Sequence, residues 1–102
     1  MSKFNSIVLP ASATPTVEID PSCHSVYIRF KKARVHKTIS SEEQGKIMVV
    51  DLGSDNSVIG VELVGVKEFS ISAIRHRLPE TMQAIDFNKA RFMPASKELV
   101  EA

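Results

Sequence analysis

The sequence has one cysteine, Cys23, one tyrosine and no tryptophan among its 102 residues. A lone cysteine excludes an intrachain disulfide and, with it, the small disulfide-stapled scaffolds. An excess of one charge sign is also missing. Thirteen Lys and Arg stand against twelve Asp and Glu, a formal net charge of +1, which gives no bulk attraction to nucleic acid or to an anionic membrane. No apolar run approaches the roughly 18 residues of a membrane-spanning helix. Ala11-Ser12-Ala13 has the form of a signal-peptidase site, but only Ile7-Val8-Leu9 precedes it, too short for the core of a secretory signal. Residue 2 is Ser, so there is no N-myristoyl acceptor. No G-x-S-x-G, P-loop, G-x-G-x-x-G or H-E-x-x-H motif occurs. The expectation is one small domain in the cytoplasm, with no membrane association.

What is there reads as sheet. Residues 1–15 form a polar arm, with Ser6 to Leu9 as an alternative edge strand. Val17-Glu18-Ile19-Asp20 alternates apolar and acidic, the mark of a half-buried strand. Asp20-Pro21-Ser22 is turn chemistry. From Ser25 to Phe30, Val26, Ile28 and Phe30 point one way and Tyr27 and Arg29 the other. Arg34 to Ile39 reads as a third strand and Ser40 to Gly45 as a loop. Ile47-Met48-Val49-Val50 is apolar on both faces, as in a strand covered on both sides, and Ile47 and Val49 are expected among the most buried residues with Val61 and Leu63. Gly53 to Ser57 is a turn. In the strand Val58 to Val64, Ile59, Val61 and Leu63 share a face, and Gly60 on the other marks a bulge or the close approach of something packed across it.

After Gly65 the period changes to helical. Ser70 caps a short helix carrying Ile71, Ile74 and Leu78, with Arg75, His76 and Arg77 in its last turn, where cations suit the helix dipole. Pro79 ends it or starts a second turn through Thr81, Met82 and Ile85. A short strand near Ala90 to Met93 follows, and residues 94–102 are a polar tail. The predicted fold is α+β: an antiparallel sheet of about five strands, built from two hairpins, with a short C-terminal helical segment packed on one face. The domain covers residues 16–93.

The central stretch, residues 16–66, resembles a family of short bacterial proteins known as domain of unknown function 2283. Ile19-Asp20-Pro21, Val26-Tyr27-Ile28-Arg29-Phe30, Ile47-Met48-Val49-Val50-Asp51-Leu52 and Val58-Ile59-Gly60-Val61-Glu62-Leu63 carry the likeness. Two departures stand out: an aromatic is usual where Ile19 stands, and an acid is usual just before the Tyr-containing strand, where this chain has Cys23-His24-Ser25. The resemblance implies an antiparallel sheet domain and a bacterial cytoplasmic setting, and no activity.

Candidate chemistry is thin. Asp51, Asp55 and Glu62 fit the first, fifth and twelfth places of a calcium loop, but Gly53 and Asn56 fill the third and sixth, and turn chemistry accounts for the same residues. Cys23, His24 and His36 are too few and too scattered for the zinc spacings. The sequence therefore implies no catalytic residue, no cofactor and no metal. Its strongest functional signal is charge placement. Arg29, Lys31, Lys32, Arg34 and Lys37 form an acid-free block between Pro21 and Ser41, while Glu42, Glu43, Asp51, Asp55, Glu62 and Glu68 follow. A basic hairpin preceding an acidic one suits charge pairing within the sheet or between two copies. The function implied is a non-catalytic, self-associating homodimer that binds a protein partner. The alternative is a nucleic-acid-associated regulator using the Arg29–Lys37 segment as a patch.

Overall fold

A computed structural model of the chain describes residues 15–79, 82, 83, 87 and 90–94. The two alternating segments at the start become β1 (Thr16–Asp20) and β2 (Ser25–Arg29), joined through a 3-10 turn at Pro21–Cys23. His24, with φ 51°, closes that turn and donates its amide to the Pro21 carbonyl at 3.2 Å. They are followed by β3 (Lys37–Glu43), β4 (Lys46–Leu52), β5 (Val58–Val64), the helix α1 (Ile71–Arg77) and β6 (Arg91–Pro94). The expected arm and tail lie outside the described residues, except that Pro15 is buried and Pro94 ends β6.

The six strands form one sheet in the order β3-β4-β5-β2-β1-β6. All neighbours are antiparallel except β6, which runs parallel to β1. The meander β3-β4-β5 with β2 returning beside β5 is a Greek key. The fold is thus α+β, as expected, with six strands where about five were expected. β6 follows the helix, near the short strand that the sequence places at Ala90 to Met93, so the helix is not the last element.

Three further expectations change. Residues 40–43 are strand, not loop: β3 pairs along its whole length with β4, and the turn closes on Gln44 and Gly45 alone. Both have positive φ, 53° and 78°, which matches the strand twist of a two-residue hairpin. The basic segment is no hairpin. β2 and β3 are separated by β5 and β4, and residues 30–36 cross the sheet end, where the Phe30 amide donates to the Ile59 carbonyl and the His36 amide to that of Leu52. Finally, β4 faces the other way. Met48, Val50 and Leu52 are buried while Ile47 and Val49 are half-buried, because Met48 pairs with Leu63 and Val50 with Val61.

The core lies on one face of the sheet. Val17, Val26, Ile28, Val50, Val61 and Leu63, all at most 1% exposed, pack with Ile74 and Leu78 of the helix region and with Met82 and Phe87. Ser70 caps the helix as the sequence predicts, its hydroxyl accepting from the Ala73 amide at 3.1 Å. Arg77 ties the helix end to the sheet: its guanidinium donates to the carbonyls of Val64 at 2.7 Å, Gly65 at 3.2 Å and Ile47 at 3.3 Å. A one-residue register shift between Asp51 and Leu52 makes Ile59 the extra residue of a bulge and takes it out of the alternation with Val61 and Leu63. No helix among the described residues is long and apolar enough to cross a membrane.

Candidate functional site

The face opposite the helix carries the ordered polar groups. Directly paired residues share a face, so the register builds two rows there. One runs Arg91, Thr16, Arg29, Gly60, Asp51, Thr38; the next runs Met93, Glu18, Tyr27, Glu62, Val49, Ser40. Diagonal contacts lock the rows together. The Tyr27 hydroxyl donates to Asp51 Oδ2 at 3.0 Å, reaching across β5. Asp51 Oδ1 accepts from Thr38 Oγ1 at 2.9 Å. On the other side, Arg29 Nε donates to Glu18 Oε2 at 3.1 Å, and the guanidinium stands 4.9 Å from the centre of the Tyr27 ring.

Gly60 makes this possible. A Cβ there would collide with the Tyr27 ring and hydroxyl. Of the two readings its position in the sequence offers, a bulge or a close approach, the mid-strand glycine marks a close approach, and the group that approaches is Tyr27. Burial, followed by the hydrogen bond and the charge of Asp51, pushes the Tyr27 hydroxyl above its ordinary pKa. It is held protonated, as a donor, and is not set up as a phenolate nucleophile.

Half-buried Ile47, Val49 and Val64 lie beside this lattice, with Glu62 and Glu42 at the same face. The surface is mixed in polarity and richer in carboxylates than in cations, since Arg29 and Arg91 are its only cations among the described residues.

No protein-family model matches the chain, and neither a curated protein nor a solved structure matches it.

The predicted basic patch is divided by the fold. Arg29 is engaged on the open face by Glu18 and Tyr27. The Lys31 ammonium donates to the Ser57 hydroxyl across the connection, and that hydroxyl donates to Asp55 Oδ1 at 2.6 Å. Lys32 and Arg34 are exposed in the connection and Lys37 at the start of β3. The other candidates are also dispersed. Asp55 accepts from the Ser57 hydroxyl and amide, which hold its carboxyl below the usual range, as the Ser22 hydroxyl does for Asp20. Cys23 and His24 are exposed at the β1–β2 turn, beside the Val64 end of the sheet. His36 bonds the Leu52 end, so the fold does not bring the three together. No three His, Cys, Asp or Glu side chains converge as metal ligands among the described residues.

Two shallow clefts flank Arg77. One, of about 410 Å³, is lined by Ser41, Glu43, Lys46, His76 and Pro79 among others. The second, of about 270 Å³, is lined by Lys46, Gly65, Lys67, Glu68 and Ala73. The guanidinium they share already serves three backbone carbonyls. Sequence reasoning missed the Tyr27–Asp51–Thr38 chain. Its signals were Gly60 in mid-strand and a Tyr on the strand face opposite Val26 and Ile28.

Proposed function

We propose that the protein is a non-catalytic, self-associating module that binds a partner through the open face of its sheet. The observation that carries the reading is the lattice Glu18–Arg29–Tyr27–Asp51–Thr38. It fixes polar side chains on the sheet face opposite the helix, Met82 and Phe87, and holds the Tyr27 hydroxyl protonated as a donor. Fixing side chains before contact lowers the entropy lost on binding. Half-buried Ile47, Val49 and Val64 add apolar area beside it. The partner chemistry it fits is an apolar group flanked by cations, because Glu18, Glu42, Asp51 and Glu62 outnumber Arg29 and Arg91. The resemblance of residues 16–66 to domain of unknown function 2283 supports a sheet module in a bacterial cytoplasm and brings no activity with it.

Static light scattering of the full chain at micromolar concentration tests the self-association. A mass of twice the 11.3 kDa chain is expected; a single-chain mass that does not change on concentration refutes it. The second reading, a nucleic-acid-associated regulator, rests on the exposed Lys32, Arg34 and Lys37. It requires salt-dependent binding of DNA or RNA that is lost when Lys32 and Arg34 are reversed to Glu.

A further inference from the structure

We infer that the larger cleft beside Arg77 binds a small apolar molecule carrying one carboxylate, with the carboxylate at Lys46 and Arg77 and the apolar body between β4 and the end of α1. The site lies on the helix side of the sheet, opposite the face proposed above for a partner, and adds a ligand to that reading.

The fold builds the cleft from two pieces. Cross-strand pairing sets Ser41 beside Met48 and Glu43 beside Lys46, so all four belong to the helix side with buried Met48. Across from them stand His76, Arg77, Leu78 and Pro79, where α1 ends. The space between is about 410 Å³, within the roughly 300–1,000 Å³ of small-molecule sites. Met48 and Leu78, 9% and 3% exposed, give it an apolar floor together with Pro79. The flexible thioether of Met48 can adapt to the shape that lies on it.

Lys46 and Arg77 line both clefts. Arg77 is half-buried, and its three bonds go to the carbonyls of Ile47, Val64 and Gly65. These groups are neutral, so the guanidinium has no counter-charge among the described residues, and they engage three of the five N–H donors of an arginine. Lys46 is exposed and likewise has no ion pair among the described residues, even with Glu43 opposite it. Two neighbouring cations in this state favour an anion, and their bonds to a carboxylate would be charge-assisted.

The charge count selects the head group. Lys46, Lys67 and Arg77 line the two clefts against Glu43 and Glu68, a formal excess of one positive charge. That matches a carboxylate and not a phosphate dianion. The negative pole of α1 at this end is offset by Arg75, His76 and Arg77 in its last turn.

Titration calorimetry and amide NMR shifts of the full chain test this, with octanoate as the probe. Octanoate is expected to bind and to move the amides of residues 45–48 and 76–78. Acetate and inorganic phosphate lack the apolar body and octanol lacks the charge, so each should bind about tenfold more weakly or worse. Lys46→Gln should weaken octanoate about fivefold and leave octanol unchanged. Shifts confined to other residues, octanol binding as tightly as octanoate, or octanoate binding unchanged in K46Q would each overturn the site. Acetate or phosphate binding as tightly as octanoate would overturn the ligand class, leaving a spot for any small anion. K46Q is expected to fold, since Lys46 holds no side-chain bond among the described residues; if it does not, the ligand series on the wild type decides.

Discussion

The phenol of Tyr27 lies across Gly60 and places its hydroxyl 3.0 Å from Asp51 Oδ2, two strands away. The strand between them has no side chain at the crossing point, so an aromatic ring can lie flat on the backbone. This joins β2 to β4 over β5 and sets the position of the open face.

Gly60→Ala is expected to destabilise the fold by about 1–3 kcal/mol, because the added methyl must displace the Tyr27 ring. In a Tyr27→Ala background the same substitution should cost little. A denaturant double-mutant cycle measures the coupling; additive effects would show that the ring does not depend on the glycine.

Alkaline stability should depend on Tyr27. Its hydroxyl pKa is raised in the folded chain by burial first and by Asp51 next, above the ordinary 10.0 that the unfolded chain keeps. A raised folded pKa means the contribution is complete below pH 10.0 and declines as pH rises beyond it. Tyr27 is the only tyrosine and tryptophan is absent, so the tyrosinate absorbance band reports this residue alone. It should develop together with loss of the native circular dichroism, not ahead of it. Tyr27→Phe should lessen the alkaline decline.

The facing of β4 can be tested by paired substitutions. Val50, fully buried between Ile39 and Val61, should not accept Lys, whereas half-buried Val49 should accept it with the fold intact. Leu63→Ala, at a site with no exposure, is expected to cost about 2–5 kcal/mol. Thermal melts of the three variants give the order, and equal losses at Val49 and Val50 would contradict the register.

Arg77→Met keeps much of the side-chain length and removes the donors to Ile47, Val64 and Gly65. A loss of about 1.5–3 kcal/mol is expected for these charge-assisted bonds. Hydrogen exchange should locate the effect at the junction of α1 with the ends of β4 and β5, and unchanged protection there would refute the tie.

Some of this was legible from residues alone. β1, β2 and β5 show period-two alternation, so their extent and most of their facing follow directly. The helix announces itself through Ser70 and the spacing of Ile74 and Leu78. β4 could not be read this way, because Ile47-Met48-Val49-Val50 contains no polar residue to fix a side. The second half of β3 reads as a loop because Ser40 to Glu43 is polar. It is a strand because Gln44 and Gly45 adopt positive φ and fold it back onto β4.

The sequence by itself determined the balance of charges, the lack of an intrachain disulfide, most strand positions and the choice of a bulge or a close approach at Gly60. These are local properties, set by side-chain period, turn residues and the missing Cβ. Tertiary structure alone decided the strand order, the division of the Arg29–Lys37 block and the identity of the group over Gly60. Each depends on which distant strands pair. Local preferences along the chain do not encode pairing, and it is settled only when the buried faces of all the strands are satisfied together.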